Sequence, residues 1–271
     1  MQVAQGPSLV CRSLEPFAVH LFTTRHWPLG SRALGTDDEA PWTAVADAMA
    51  VPAEDLLRAR QVHGAAVATG RRGRTGRPEA DILVSDDARV ALAVQAADCA
   101  PLLIADRRTG TVAAAHAGWR GLAAAVPAQT VAALAREFGS RPSDLFVAIG
   151  PSIGACCCEV GGDVRSRFTA AGFTEDQLTR WFLPYPASSA RNPSLPGLAD
   201  RLRTGRWFFD LWASAREQFT GAGVPAEQVF VAELCTASHP HTFCSYRRDG
   251  APAGRIAGAI RRGRASGVGD S

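Results

Sequence analysis

A cysteine and a histidine flank two short apolar runs in the stretch AADCAPLLIADRRTGTVAAAHAGWRG, residues 96 to 121. The runs are joined by DRRTG (106 to 110), a loop ending in glycine, which signals an antiparallel hairpin. If Ala105 faces Thr111, then Leu102 lies opposite Ala114 and Ala100 opposite His116, so Cys99 and His116 meet at the open end of the ribbon. Opposed or diagonal residues in such a ribbon are roughly 4.5 to 8 Å apart, within range for a thiolate and an imidazole to share a proton or a metal ion. Asp98 is the adjacent carboxylate for moving a proton, although strand alternation turns it away from Cys99 unless the strand has already ended. The small residues around Cys99 and His116 predict a pocket. Beyond His116 the chain turns through Gly118 and Gly121 into a helix whose first N–H groups are placed to hold an anion beside Arg120.

The elements that must position these residues are legible as short apolar runs. Strands are predicted at 18–23, 57–62, 82–84, 90–94, 102–105, 111–115, 145–149, 229–233 and 254–260. Helical spacing covers 42–50, 121–138, 163–171 and 209–220, and Pro127 implies a late start or a kink in the second of these. Strands and helices interleave without strict alternation, so the expected class is α+β, with mixed β-sheets flanked by helices. No linker divides the chain, and 1–271 reads as one domain with a surface insertion at about 185–205 and a frayed tail at 262–271.

Bulk properties exclude several classes. A 46% hydrophobic, 20% charged chain of 271 residues is an ordinary globular protein. No leader-like N-terminus and no membrane-length apolar run is present, so the expectation is a cytoplasmic protein without a membrane partner. Seven cysteines, three of them consecutive at 156–158, fit reduced thiols better than a disulfide framework. The net charge of +3 is small, and RRGRTGR (71–77) lacks interleaved aromatics, which argues against nucleic acid as a partner.

Taken in order, QVHG (61–64), EAD (79–81), ADCAP, HAGWRG (116–121), IGPSIG, CEVG, CT (235–236), SYRR and GR (254–255) form a combination far more specific than any one piece. From about Phe22 to Ile260 the chain resembles the YfiH-like laccase-domain, or polyphenol oxidase, family, also described as purine nucleoside phosphorylases. The resemblance implies a layered α/β/β/α fold shared with cysteine hydrolases, and one Zn²⁺ held by His63, Cys99 and His116. A His₂Cys set with an open fourth position is the catalytic pattern of zinc. Multicopper chemistry needs about a dozen ligands, mostly imidazole, whereas this chain has six histidines. A blue-copper centre usually adds an axial methionine, and the methionines are Met1 and Met49.

The activity implied is phosphorolysis of adenosine, inosine and methylthioadenosine, together with hydrolytic deamination of adenosine, with a purine nucleoside and phosphate as the small-molecule partners. For the phosphate, arginine's fixed fork of donors makes Arg120, Arg25, Arg247 and Arg248 the candidates, and Gln61 and Trp119 within the motifs join them as substrate-binding candidates. Three departures from the family pattern affect the walls of the site. The 26–42 segment is short and lacks asparagine, Cys158 stands where tyrosine is usual, and 185–205 looks inserted.

Two other readings stay open. One makes Cys99 a nucleophile and His116 its base in an amide hydrolase, for which the resemblance implies a role in editing peptidoglycan precursors. The other is a non-catalytic protein braced by a closed zinc site, with Cys235 or His239 as fourth ligand. His239 and His241 in SHPH are separated by a proline that favours a loop, and Cys156 to Cys158 are read as packing residues.

Overall fold

The computed structural model describes residues 6–30, 40–73, 76–198 and 204–263. The 31–39 part of the shortened segment, part of the basic loop at 71–77, part of the 185–205 insertion and most of the tail lie outside the described residues.

Strands β1 (Ser8–Leu9), β2 (Ala18–Thr23), β3 (Leu56–Arg58), β4 (Val67–Thr69), β5 (Ile82–Ser85), β6 (Ala91–Ala96), β7 (Ala100–Asp106), β8 (Val112–Ala117), β9 (Leu145–Ile149), β10 (Glu159–Gly161), β11 (Phe182–Leu183), β12 (Arg206–Phe209), β13 (Val229–Val231) and β14 (Ile256–Arg262) form three sheets. One runs β1-β2-β14-β6-β3, a second β13-β9-β7-β8-β5-β4, and a small third β10-β12-β11. The helices are α1 (Ala40–Ala48), α2 (Trp119–Ala123), α3 (Val126–Phe138), α4 (Gly162–Ala170), α5 (Glu175–Trp181), α6 (Leu211–Gly221) and α7 (Tyr246–Asp249).

Side-chain alternation explains the layering. On β7, Leu103 and Ala105 point toward Leu92, Val94 and Phe22 of the five-stranded sheet, so the two large sheets share one core. Leu102 and Ile104 point the other way, into a core with Leu134 of α3, Phe168 of α4, Leu178 of α5 and Phe219 of α6. Behind the five-stranded sheet, Ala91, Ala93 and Ala257 pack on Trp42 and Val45 of α1 and on Met49 just after it. The result is an α/β/β/α stack whose central strands are buried on both faces, which is why they read as continuous apolar runs. The alanines of β8 keep the middle of the six-stranded sheet thin, with larger side chains on β7 and β5 to either side.

Three expectations are corrected. The hairpin is shifted by one residue: Ala105 pairs with Val112, Pro101 with His116 and Ala100 with Ala117. The cause is Asp106, whose N–H bonds the Thr111 carbonyl and whose carboxylate accepts from the N–H groups of Arg108 and Thr109, pulling Thr111 into the turn. The helix expected over 121–138 is two helices, α2 and α3, separated by Ala125 in the left-handed region (φ 56°), with Pro127 in the first turn of α3. The strand expected through Val62 stops at Arg58, because residues 62–64 are captured elsewhere.

Leu103 sits fully buried in the core between the two large sheets. Leu103→Ala is expected to destabilise the chain by about 2–5 kcal/mol in urea unfolding monitored by circular dichroism.

Candidate metal centre

Four chain segments meet at one end of the six-stranded sheet. Cys99 immediately precedes β7, His116 is near the end of β8, Asp81 immediately precedes β5, and His63 lies in the loop leading to β4. Extending the observed register puts Gly118 directly across from Cys99 and His116 diagonal to it. The ligand atoms of His63, Cys99 and His116 all lie within 4.8 Å of one another, and the two imidazoles stand edge to face with centroids 4.9 Å apart.

Asp81 holds this arrangement. Fully buried, it accepts hydrogen bonds from the backbone N–H groups of Val62 (3.2 Å), His63 (3.0 Å) and Gly64 (2.8 Å). Its Oδ1 also pairs with Nδ1 of His116 at 2.9 Å, and its carbonyl accepts the His116 N–H at 2.8 Å. These bonds fold residues 62–64 into a tight turn with His63 at φ 61°, and they leave Nε2 of His116 as its outward donor. The EAD motif (79–81) is apparent in the sequence without assigning Asp81 a role. A carboxylate directly before a fully buried strand was the available signal.

Gly118 contributes by having no side chain. A Cβ there would sit 2.6 Å from Sγ of Cys99 and 3.7 Å from the His63 ring. The small residues around the pair thus leave room for the two ligand side chains themselves.

The electrostatics follow from this packing. Burial alone would raise the Cys99 thiol, but His116 and His63 outweigh it and bring the pKa down from the usual 9.0 to about 6. Burial likewise opposes protonation of His116, yet the Cys99 thiolate and the Asp81 carboxylate raise it to about 9. For Asp81, burial pushes upward, and the hydrogen bonds from His116, Gly64 and Val62 carry it below the usual carboxylate range. Without a metal, the site is a thiolate–imidazolium pair with a carboxylate behind it.

The donor set fits zinc: two imidazoles, one thiolate and a carboxylate that orients one imidazole. Among the described residues, the group of His, Cys, Asp and Glu ligand atoms at this point contains these three alone. Cys235 lies instead with Cys156 and Cys157, and His239 has its Nδ1 on the Cys235 carbonyl at 2.8 Å, so neither takes a fourth position.

The remaining candidates have diverse surroundings. Asp98, at φ 87°, ends the turn before Cys99. Its carboxylate accepts from the Thr236 hydroxyl at 2.7 Å and the Arg247 N–H at 2.6 Å, and burial raises its pKa. Gln61 bonds both the carbonyl and the N–H of Gln95, which continues the pairing of β3 with β6. The Arg247 guanidinium donates to the carbonyls of Cys157 and Glu159. That of Arg248 donates to the carbonyls of Thr236, Ala237 and Phe243 and to Asp249. Arg25 donates to the Pro240 carbonyl. Arg120 stacks on Trp119 at 4.4 Å, and the two line a cleft of about 420 Å³ with Arg167 and Ala170. That cleft is bounded by the five-residue helix α2 and by α4, rather than by the start of one long helix.

Comparison with known proteins agrees with this architecture. Residues 39–263 match the family described as "Multi-copper polyphenol oxidoreductase laccase". A purine nucleoside phosphorylase of Bacteroides thetaiotaomicron is 36% identical over 180 residues, spanning 66% of this chain and 60% of the relative, so the chain covers less than two thirds of that protein's length. One from Deinococcus radiodurans is 34% identical over 248 residues, 88% of this chain and 86% of that one. Adenosine deaminase RL5, from an unknown prokaryotic organism, is 31% identical over 79% of this chain and 78% of its own. Among solved structures, YlmD from Geobacillus stearothermophilus superposes with a TM-score of 0.77 at 31% identity, covering 97% of this chain and 98% of that one. YfiH from Bacillus licheniformis gives a TM-score of 0.81 at 25% identity, covering 96% and 98%. The fold and the site define a laccase-domain protein with a His₂Cys candidate metal centre. The chain belongs to the YfiH-like laccase-domain family, whose members include proteins named for purine nucleoside processing.

Two outcomes follow from this geometry. Asp81→Asn keeps one acceptor oxygen where four donors need two, and it is expected to weaken zinc binding about 10- to 100-fold in a chelator competition. In the metal-free protein, iodoacetamide should modify Cys99 ahead of the other thiols, with a rate that is full above its pKa and falls as pH drops through about 6. A rate that rises only near pH 9, the ordinary thiol value, would contradict the thiolate–imidazolium pair.

Proposed function

We propose that the chain is a cytoplasmic, zinc-dependent purine nucleoside enzyme that carries out phosphorolysis of adenosine, inosine and methylthioadenosine and hydrolytic deamination of adenosine. The observation that carries this reading is the three-ligand N₂S set fixed by Asp81, together with relatives named for both activities. Among the described residues no helix is long and apolar enough to cross a membrane.

His63, Cys99 and His116 would hold the ion. Once bound there, zinc supplies Lewis acidity and activates water, the chemistry required for attack on a purine ring carbon. The chain's own contribution is rigidity. Asp81 fixes the tautomer of His116 and the turn that presents His63, while Gly118 lets Cys99 approach both rings. We assign Asp98 a positioning role: through Thr236 and Arg247 it anchors the turn that delivers Cys99. For the phosphate we favour Arg120, because Arg25, Arg247 and Arg248 already donate to backbone carbonyls. Trp119 beside it offers an aromatic face for the purine.

The thiolate–imidazolium pair supports a second reading, in which Cys99 attacks an amide and His116 supplies the proton to the leaving amine. Chelation separates the two. Incubation of the pure protein with adenosine is expected to yield adenine only when phosphate is present and inosine in its absence, with both products lost on chelation and restored by Zn²⁺. Neither product under any condition would sink the nucleoside assignment. Full hydrolase activity of the metal-free chain, abolished by alkylation of Cys99, would establish the second reading instead.

A further inference from the structure

A second group of ligand atoms lies apart from the first. Cys156, Cys157 and Cys235 are buried, and their three Sγ atoms all lie within 4.8 Å of one another. The side-chain hydroxyl of Ser238 lies 3.5 Å from both Cys156 Sγ and Cys157 Sγ. Simple packing does not need sulfur: three small apolar side chains would fill the same space, and none would bring a hydroxyl to the sulfurs.

The backbone holds the cluster open toward one point. Cys156 and Cys157 lie on the turn after Gly154, where the Trp212 ring occupies the space a Cβ would need, at 2.7 Å. Cys235 comes from the segment after β13, where its N–H donates to the side-chain Oδ1 of Asn192 at 2.9 Å. Asn192 belongs to the predicted insertion, and so does the rest of the roof. Ser194 donates to the Cys156 carbonyl at 2.7 Å, and the Pro193 carbonyl accepts from Ser238 at 2.6 Å and from the Cys157 thiol at 3.6 Å. The Arg247 guanidinium on the Cys157 carbonyl sets a positive charge beside the turn.

We propose that Cys156, Cys157 and Cys235 form a second, thiolate-only site for a thiophilic d¹⁰ cation, roofed by Asn192, Pro193 and Ser194 of the insertion. Three sulfurs and no nitrogen suit monovalent copper, which is content with two or three soft donors. Zinc would need a fourth, for which the Ser238 hydroxyl is the nearby oxygen. Binding displaces thiol protons to solvent and changes no oxidation state. The site is closed by protein, so its role is to brace the turn at 156–158 against the segment at 235–238.

The test is a titration of the reduced, metal-free full chain, under anaerobic conditions, with Zn²⁺ in one arm and with chelator-buffered Cu(I) in the other. At least one cation is expected to bind at two per chain, and the arm that does so identifies the ion. Cys99→Ala and Cys235→Ala should each reduce that count to one. Only Cys235→Ala should lose the thiolate-to-metal absorption of the second ion while keeping the wild-type circular dichroism spectrum and the first ion. Should that variant fail to fold, alkylation mapping of the wild type gives the same answer: the bound cation must protect Cys156, Cys157 and Cys235. Saturation at one ion in both arms, or three thiols left equally reactive with and without the cation, overturns the proposal.

Discussion

A carboxylate sealed from solvent is stable only where donors replace the lost water, and Asp81 has four of them. Three are consecutive backbone N–H groups, and the fourth is the imidazole that shares the site with Cys99. Asp81 therefore converts its own need for solvation into geometry. It closes the turn at 62–64, forces His63 into the left-handed region and fixes which nitrogen of His116 faces the other ligands. Removing any of these donors would leave part of a buried charge exposed to a low dielectric, so the turn and the strand are locked together.

The layered fold makes this possible by ending several strands at one edge. Because β4, β5, β8 and β7 are consecutive neighbours, residues at their ends stand side by side in space although they span positions 63 to 116 in the chain. Alternation then decides which face is used. Ala115 and Ala117 belong to the helix-side core, so His116 between them points toward the other sheet, and Cys99, one step before the helix-facing Ala100, does the same. A single-residue slip of the hairpin would turn His116 toward the helices. The Asp106 turn that sets the register thus also sets the metal centre from the far end of the same two strands.

This distance explains what could be read from the sequence. All nine predicted strands fall on strands, because residues buried on both faces leave continuous apolar runs. The closeness of Cys99 and His116 at the mouth of the hairpin was visible, but the expected register, one residue off, sets their side chains on opposite faces. The third ligand rested on family resemblance, since nothing local marks His63. Its position depends on a carboxylate 18 residues further along. Gln61 and Arg247 illustrate the opposite failure. Polar side chains inside a motif read as substrate contacts, whereas in the structure both are engaged by backbone groups that join distant segments. The small sheet of β10, β11 and β12 and the helix α5 went unseen because their strands are only two to four residues long and lie around the insertion.

The family's description as a multicopper oxidoreductase can be weighed against where each imidazole of this chain lies. His63 and His116 are together at the sheet edge. His20, on β2, accepts from the Cys11 N–H and lies against the Ala18 carbonyl. His239 is held by the Cys235 carbonyl, while His26 and His241 are exposed on loops. Two of six histidines therefore converge, and among the described residues a trinuclear copper cluster with its separate electron-entry site has no set of donors. What the chain does assemble is a single N₂S centre whose thiolate is already charged at neutral pH and whose second histidine is oriented by a buried carboxylate. That combination suits an ion that acts as a Lewis acid rather than one that must pass electrons to three others, and it is consistent with the hydrolytic and phosphorolytic names carried by the relatives.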